Sequence, residues 1–316
     1  MNAPLIEVRN VTRQFAKRLD FAGKIARSLG AKLRDEIVHA VDDVSLIVPE
    51  QTVVGLVGES GCGKSTLGRM IAGVDKPTAG QILYRGNDMN ALSGEEAVHA
   101  ALKVQMIFQD PLSSLNPRLR MREIVGEAVS YHGIVPPAEL EQHIDTTLLR
   151  CGLSPALKGS YPHQFSGGQR QRIGIARALA VSPELIVCDE AVAALDVSLQ
   201  AQIINLFMKL RKDFGLSYLF VSHDISVVRH ISDYVYVMYL GRVVESGPSA
   251  KLFAAPLHPY TKALLNETPK FSSRRTEFQP IRGEIPSPLD PPPGCHFHPR
   301  CPQATEQCRQ QKPELR

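Results

Sequence analysis

The chain has 316 residues, of which 43% are hydrophobic and 22% charged, so it can form one large domain with attachments or two compact domains. This composition excludes a protein that is disordered throughout. Basic and acidic residues number 36 and 32, and a net charge of +4 is too small to indicate nucleic acid as a partner. No apolar run approaches the roughly 20 residues of a membrane-spanning helix, and residues 1–10 lack the pattern of a secretory signal.

Two short strands are predicted near the start of the chain, at Leu5–Val11 and Val44–Val48, from alternating apolar positions. Between them, residues 12–36 hold seven basic and three acidic residues. Apolar residues recur there at every fourth position from Phe21 to Leu33, which is typical of an amphipathic helix. Two interpretations stay open: a helix packed on its own domain, and a helix that contacts anionic lipid or a membrane partner.

From residue 52 onward, apolar strands alternate with helical patterns. Because parallel strands are joined by helical crossovers, this alternation predicts an α/β fold with a mostly parallel sheet covered on both faces. Tyr234–Tyr239 and Arg242–Glu245 predict a hairpin around Gly241. The predicted strands are Thr52–Val57, 81–84, 103–108, Leu185–Cys188 and Tyr218–Val221, and the predicted helices are Ser65–Ala72, 198–212, 225–231 and several within 120–160.

The composition changes near residue 250. Twelve of the 23 prolines lie in residues 256–316, which disfavours long helices and strands there. The six cysteines are three scattered residues and three close together at Cys295, Cys301 and Cys308. This is not the spacing of a disulfide framework, so the sequence indicates a reducing, cytosolic setting.

A phosphate-binding loop is predicted directly after the strand at Thr52–Val57. Residues 58–65, GESGCGKS, match the pattern G-x-x-x-x-G-K-[ST] between a strand and a helix. Glycines let backbone N–H groups converge on phosphate oxygens, and the helix N-terminus adds partial positive charge. Lys64 is expected to reach the β- and γ-phosphates, and the Ser65 hydroxyl to bind Mg²⁺. The residues predicted to hold the nucleotide are Gly58, Ser60, Gly61, Cys62, Gly63, Lys64, Ser65 and Thr66.

Two acidic residues follow the strand Leu185–Cys188. An apolar strand that ends in carboxylates is costly unless these face a cation or water. Asp189 suits the coordination shell of Mg²⁺, and Glu190 suits a general base that polarises the attacking water.

Three further segments carry a resemblance to a known family. Residues 165–172, FSGGQRQR, resemble the signature motif of ATP-binding cassette (ABC) ATPases, and residues 221–224, VSHD, resemble their switch-histidine loop. Gln109, within IFQDP, resembles their Q-loop glutamine. All five motifs stand in the family's order. Three stretches further resemble the dipeptide/oligopeptide (peptide/nickel) importer branch, namely residues 109–118, 258–265 and 294–302.

The resemblance implies the α/β fold of P-loop NTPases: an ABC nucleotide-binding domain with a mostly parallel sheet core, an antiparallel β part and a helical subdomain, followed by a Pro/Cys-rich C-terminal extension. The ATPase domain would cover residues 1–250, with an insertion at 16–39 and the helical subdomain at about 110–170. The extension, of oligopeptide-transporter type, would cover 251–316. The branch also serves nickel, glutathione and opines, so the solute stays open.

The resemblance also implies roles for individual residues. Two such domains would face each other head to tail, with each ATP between the glycine loop of one and the signature motif of the other. Glu190, His223 and Gln109 would be catalytic, and Ser65, Gln109 and Asp189 would lie at the Mg²⁺ ion.

Four further residues are expected to contact nucleotide. Ser166, Gly168 and Gln169 would bind the partner's ATP, and Phe15 would stack on adenine unless it is an ordinary core residue. The family usually has proline and serine where this chain has Ala191 and Ala193, which puts the efficiency of the site in question.

The resemblance implies an ATP-hydrolysing, energy-coupling subunit of an importer for peptides or a related small solute. Its partners would be a second ABC ATPase subunit in a heterodimer, two transmembrane permeases and, indirectly, an extracytoplasmic solute-binding protein, without nucleic acid. It would lie peripherally at the cytoplasmic face of the inner membrane. The alternatives are a soluble ABC ATPase of translation or DNA repair, and an exporter subunit, which the extension disfavours.

The extension's cysteines suggest a metal site. The proline-rich segment that holds Cys295, Cys301 and Cys308 is too small for a core of its own. Such segments usually need a cross-link, which in a reducing setting means a bound metal rather than a disulfide. Some members of the family hold a [4Fe–4S] cluster here, which requires four thiolates. The fourth ligand would be His296, His298 or a residue outside this chain segment. An iron–sulfur cluster, a zinc ion and free thiols packed in a loop all stay open.

Overall fold

The computed structural model describes residues 4–17, 36–267 and 283–315. Its strands are β1 (Ile6–Lys17), β2 (Glu36–Val48), β3 (Val53–Val57), β4 (Ala79–Tyr84), β5 (Asn87–Asp88), β6 (Val104–Ile107), β7 (Leu185–Asp189), β8 (Ser217–Ser222), β9 (Tyr234–Tyr239) and β10 (Arg242–Pro248). Its helices are α1 (Lys64–Ile71), α2 (Gly94–Lys103), α3 (Pro111–Ser114), α4 (Met121–Tyr131), α5 (Leu140–Arg150), α6 (Gly167–Ala180), α7 (Val197–Phe214), α8 (Ile225–Ile231), α9 (Ser249–Ala254), α10 (Pro259–Glu267) and α11 (Glu306–Gln310).

The strands form two sheets. The larger has the order β10-β9-β3-β8-β7-β6, and its strands are parallel from β9 to β6, with β10 antiparallel at one edge. Every residue of β3, β7 and β8 is buried, as expected for central strands covered on both faces. The smaller sheet, β2-β1-β4-β5, is antiparallel throughout. The predicted α/β class is therefore confirmed.

The first two strands are longer than the sequence pattern indicates. β1 and β2 pair along most of their length, from Ile6 opposite Val48 to Lys17 opposite Glu36. Register shifts interrupt the pairing between Val8 and Gln14, so the alternation of apolar side chains breaks there. The amphipathic helix predicted from Phe21 to Leu33 falls within residues 18–35, outside the described part of the chain.

The region predicted as helices contains α4 and α5, which pack on α6. Their buried residues belong to the same apolar core as β7 and β8. The third of these helices, α6, begins within the predicted signature motif.

The C-terminal extension shares the core of the main domain. Tyr260 of α10 and Phe297 are 0% and 1% exposed, and both belong to the cluster that includes β8 and β9. The extension, which the sequence indicates is too small for a core of its own, therefore packs into the core of the main domain. In the part of the chain that the structure describes, no helix is long and apolar enough to cross a membrane.

Candidate functional site

The sheet brings the predicted motifs to one edge. β3, β8 and β7 are consecutive parallel neighbours, so the segments that follow them leave the sheet side by side. The glycine-rich loop follows β3, Asp189 ends β7 with Glu190 directly after it, and His223 follows β8. Residues far apart in the sequence therefore meet where parallel α/β sheets form their ligand sites.

The glycine-rich loop is seated by contacts that only glycine permits. A Cβ on Gly58 would lie 2.1 Å from the carbonyl oxygen of Met238, and one on Gly63 would lie 2.0 Å from that of Ala40. Gly63 has a φ of 101° and precedes the first residue of α1. The loop is thus pressed against β9 and β2, with the N-terminus of α1 at its end. Within the loop, Ser60 and Gly61 are exposed and Cys62 is buried, and Thr66 is half-buried in α1.

Lys64 is buried beneath this loop. Its side chain donates hydrogen bonds to the carbonyl oxygens of Gly58 and Glu59, both at 2.8 Å, and its Nζ lies 3.8 Å from Sγ of Cys62. Among the described residues, Lys64 forms no ion pair with a carboxylate. The ammonium group is therefore held on the loop without an opposite charge in contact with it, an arrangement suited to an anionic ligand.

Ser65 connects the loop to β7. Its hydroxyl donates a hydrogen bond to Oδ1 of Asp189 at 2.7 Å. Asp189 is 3% exposed, and burial raises the pKa of its carboxyl group, while the Ser65 hydrogen bond and the charge of Arg69 oppose this shift. Ser65, Gln109 and Asp189 line one cavity of about 360 Å³. A hydroxyl and a carboxylate oxygen are hard ligands that suit Mg²⁺.

Glu190 lies between two of the predicted catalytic residues. The Gln109 side-chain amide donates to Oε2 of Glu190 at 2.8 Å, and Nδ1 of His223 lies 3.2 Å from Oε1. The Glu190 side chain is 13% exposed and the His223 side chain 55% exposed. The structure thus brings together Gln109, Glu190 and His223 beside Asp189.

The backbone at Glu190 is strained. Its φ of 48° lies in the left-handed region, which costs a non-glycine residue roughly 1–2 kcal/mol. The conformation is fixed by its own N–H, which donates to the carbonyl of Val221 at 3.0 Å, and by its carbonyl, which accepts from Ala193 at 3.0 Å. Such strain persists where the surroundings impose it, and it is concentrated at functional sites.

The predicted signature residues form a capped helix start. The Ser166 hydroxyl accepts a hydrogen bond from the N–H of Gln169 at 3.3 Å, and the Gln169 side chain accepts from the N–H of Ser166 at 2.9 Å. Ser166 is exposed, whereas Gly168 is buried, with Leu199 only 3.2 Å from where its Cβ would be. Among the described residues, no hydrogen bond joins this helix start to the glycine-rich loop.

Phe15 is not part of the core. It lies on β1, is 41% exposed, and the guanidinium of Arg13 stands 4.6 Å from its ring centre. The alternative of an ordinary core residue is therefore not supported.

None of the three cysteines of the extension takes part in a disulfide bond. Burial raises the pKa of Cys295, and the neighbouring thiols of Cys308 and Cys301 raise it further. His296 is buried and its Nδ1 pairs with the carbonyl of Leu240, while Nδ1 of His298 pairs with that of Cys295. Within residues 4–17, 36–267 and 283–315, no three or more His, Cys, Asp or Glu side chains are arranged to hold a metal ion.

Three residues without a role predicted from the sequence meet at the glycine-rich loop: Glu59, Tyr260 and Arg300. The Arg300 guanidinium binds the Glu59 carboxylate at 2.8 and 3.1 Å, and the Glu59 N–H donates to the Tyr260 hydroxyl at 2.9 Å. No local pattern could have indicated these contacts, because Glu59 and Arg300 are 241 positions apart.

Two family models match the chain. The model described as "ABC transporter" matches residues 41–193, and the model described as "Oligopeptide/dipeptide transporter, C-terminal region" matches residues 244–308.

Curated relatives match over almost the whole chain. The oligopeptide transport ATP-binding protein AppF of Bacillus subtilis is 49% identical over 99% of this chain and 93% of its own length. The oligopeptide transport ATP-binding protein OppF of Salmonella typhimurium is 48% identical over 88% and 84%. The dipeptide transport ATP-binding protein DppF of Haemophilus influenzae is 45% identical over 90% and 88%.

Two solved structures of similar proteins have a similar fold. CbiO1 of Clostridium perfringens, part of an ABC transporter complex, is 27% identical with a TM-score of 0.63, covering 80% of this chain and 91% of its own. The ATP-binding cassette MJ0796, in a dimeric post-hydrolysis state with ADP and phosphate, is 29% identical with a TM-score of 0.65, covering 77% and 98%.

The buried carboxylate of Asp189 predicts a gain in stability when its charge is removed. An acid whose pKa is raised by folding loses its proton less readily in the folded chain, so its ionisation lowers the free energy of unfolding as the pH rises. Asp189→Asn keeps an acceptor oxygen for Ser65. We expect it to raise the unfolding temperature at neutral pH without nucleotide, with the gain vanishing as the pH falls toward 3.8, the ordinary pKa.

Asp196→Asn is the matched control. The N–H of Leu199 lowers the pKa of Asp196 at the start of α7, so the sign is opposite: this variant should lose stability at neutral pH, with the loss fading on acidification. Thermal unfolding of the three proteins from neutral pH to about pH 4 measures both effects. An Asp189→Asn protein that is less stable than wild type at neutral pH contradicts the prediction.

Proposed function

The chain belongs to the ATP-binding subunits of the oligopeptide/dipeptide ABC transporters, and from this premise we propose that it powers the import of peptides or a related small solute. It is an ATPase of the ABC type. The observation that carries the proposal is the Ser65–Asp189 hydrogen bond, which joins the glycine-rich loop to β7 directly beside Glu190. The translation and repair alternative is not favoured, because AppF, OppF and DppF are transport proteins by name.

Phosphate binding falls to the glycine-rich loop. Its N–H groups and the N-terminus of α1 offer hydrogen-bond donors, and the buried ammonium of Lys64 supplies positive charge. On ATP binding, we expect Lys64 to exchange its contacts with the Gly58 and Glu59 carbonyls for phosphate oxygens. Phe15, exposed on β1, is proposed to stack on the adenine ring.

The donor set beside the loop fits Mg²⁺. The Ser65 hydroxyl and the Asp189 carboxylate are already within hydrogen-bond distance, and Gln109 lines the same cavity. The bound ion would neutralise charge on the phosphate oxygens. The cation would also pair with the Asp189 carboxylate and so offset the cost of burying its charge.

Glu190 is proposed to activate the attacking water as general base. Gln109 and His223 contact separate oxygens of its carboxylate, so both residues orient it. Glu190 has a φ of 48° directly after β7, while Asp189 at the end of the strand is buried. Ala191 and Val192, which follow, are also buried.

The positions of the motifs support a second ATPase subunit. The Ser166 hydroxyl and the N–H groups at the start of α6 could bind a γ-phosphate, but no hydrogen bond links them to this chain's own loop in the described residues. We propose that Ser166, Gly168 and Gln169 complete the ATP site of a second, different ATPase subunit. Dimeric MJ0796 is consistent with pairing of cassettes.

Membrane association is proposed to occur through permease subunits. The names of the relatives associate ATP-binding proteins of this kind with peptide transport. We propose that two permeases dock near Gln109 and the segment after it, with the chain peripheral at the cytoplasmic face of the inner membrane. A separate solute-binding protein would act only through the permeases.

A metal at the extension stays a prediction. The described residues do not provide a preformed site, since no three suitable ligands are arranged around one point. A [4Fe–4S] cluster would require Cys295, Cys301 and Cys308 to converge and a fourth ligand to join them. No step of ATP hydrolysis depends on it.

Glu190→Gln tests the proposed hydrolysis. Because the amide cannot accept the proton of the attacking water, we expect ATP binding to persist while turnover of the assembled transporter falls by at least about 100-fold. Phosphate release measures turnover. Glu184→Gln is the control, since Glu184 precedes the opposite end of β7 and pairs with Arg85 there. Near-normal turnover by Glu190→Gln, with the partner's catalytic acid also replaced, would remove Glu190 from this role.

The metal prediction is tested by anaerobic purification of the full chain, followed by absorbance and analysis for iron, sulfide and zinc. We expect iron together with labile sulfide, both lost in Cys301→Ser. Zinc without sulfide would support the rival metal. A colourless protein with none of the three would contradict both and leave three free thiols.

A further inference from the structure

The first turn of the glycine-rich loop is held from outside the ATPase domain. Glu59, the residue after Gly58, contacts the extension through two separate groups. Its N–H donates to the Tyr260 hydroxyl at 2.9 Å, and its carboxylate accepts two hydrogen bonds from the Arg300 guanidinium at 2.8 and 3.1 Å. A bidentate guanidinium–carboxylate pair fixes orientation as well as charge.

The two residues that hold Glu59 are themselves rigidly placed. Tyr260 is fully buried, with the rings of Tyr239 and Phe297 at 4.7 and 5.4 Å from its own. The Arg300 side chain is 5% exposed and also contacts the Tyr239 hydroxyl at 3.4 Å. The contact with Glu59 is therefore made by two buried side chains that contact aromatic rings, rather than by surface side chains.

Glu59 is also directly connected to the lysine of the loop. Its carbonyl oxygen accepts a hydrogen bond from Lys64 at 2.8 Å. A displacement of Glu59 would thus shift the cradle in which Lys64 lies. In addition, the Glu59 carboxylate is a negative charge on a loop that binds negative phosphates, and Arg300 neutralises it.

The extension docks on the domain at other points as well. Lys312 pairs with Asp43 on β2, and Arg242 of β10 contacts both Asp42 and the carbonyl of Gly294. Since these contacts hold the extension without touching the loop, the effect of Arg300 on the loop is separable from docking of the extension.

We propose that Arg300 and Tyr260 are positioning residues of the nucleotide site, through which the C-terminal extension sets the shape and charge of the phosphate-binding loop. The proposal rests on the proposed function, in which this loop binds ATP. Removal of Arg300 leaves a partly buried carboxylate unpaired beside the phosphates, so it should weaken ATP binding by both misplacement and repulsion.

The test is equilibrium binding of Mg·ATP to the full-length chain, measured by calorimetry. We expect Arg300→Gln to raise the Kd about tenfold, or about 1.4 kcal/mol. Adding Glu59→Gln in the same protein should restore most of the affinity, because the unpaired charge is then gone. Lys312→Gln, which removes an ion pair of the same extension away from the loop, should bind as wild type does.

Tyr260→Phe is the second variant, since it deletes one hydroxyl and keeps the buried ring. It should raise the Kd about threefold, the scale of one neutral hydrogen bond. Thermal unfolding without nucleotide separates a loss of folding from a loss of affinity. If wild type binds ATP and both Arg300→Gln and Tyr260→Phe bind equally well, the inference is overturned. If the wild-type chain binds no ATP, alone or with its partner subunit, the proposed function itself fails.

Discussion

A buried ammonium group and a buried carboxylate both lie at one glycine-rich loop, and neither forms an ion pair within the described residues. Lys64 donates to backbone carbonyls, and Asp189 accepts from the Ser65 hydroxyl. Charges removed from water are costly until they are paired. A ligand that brings phosphate oxygens to Lys64 and a divalent cation to Asp189 relieves both costs together. The specificity of the site for a cation–phosphate complex follows from this constraint.

The fold holds these two buried charges in place through three buried strands that are neighbours in one sheet. β3, β8 and β7 are neighbours, so the loop, His223 and the two acids are fixed by the same core. Glycines at positions 58 and 63 let the loop lie directly on the carbonyl oxygens of Met238 and Ala40. The extension contacts the loop as well, because Tyr260 and Arg300 both bind Glu59. The loop is therefore supported from the sheet and from the extension.

The local patterns of the sequence predicted much of this arrangement. The strand–loop–helix around Lys64 and the acids after Cys188 are contiguous, so spacing alone identifies them. The contacts among Gln109, Glu190 and His223 were expected only from family resemblance, because they depend on the order of strands in the sheet. The length of β1 and β2 was missed, since register shifts break the alternation that reveals strands. The contact between Glu59 and Arg300 depends on tertiary packing across 241 positions and leaves no local pattern.

On this view, the buried charge of Lys64 binds phosphate, and loss of that charge weakens ATP binding. The test is calorimetric titration of Mg·ATP into wild type and Lys64→Met. Lys103→Met is the control, because in the described structure the hydrogen bond of the Lys103 side chain is to an exposed backbone carbonyl, that of Ser182. We expect Lys64→Met to fold but to bind ATP at least about 30-fold more weakly, the loss expected for charge-assisted hydrogen bonds. Lys103→Met should bind normally. Equal affinity of wild type and Lys64→Met would show that the Lys64 ammonium group does not bind phosphate.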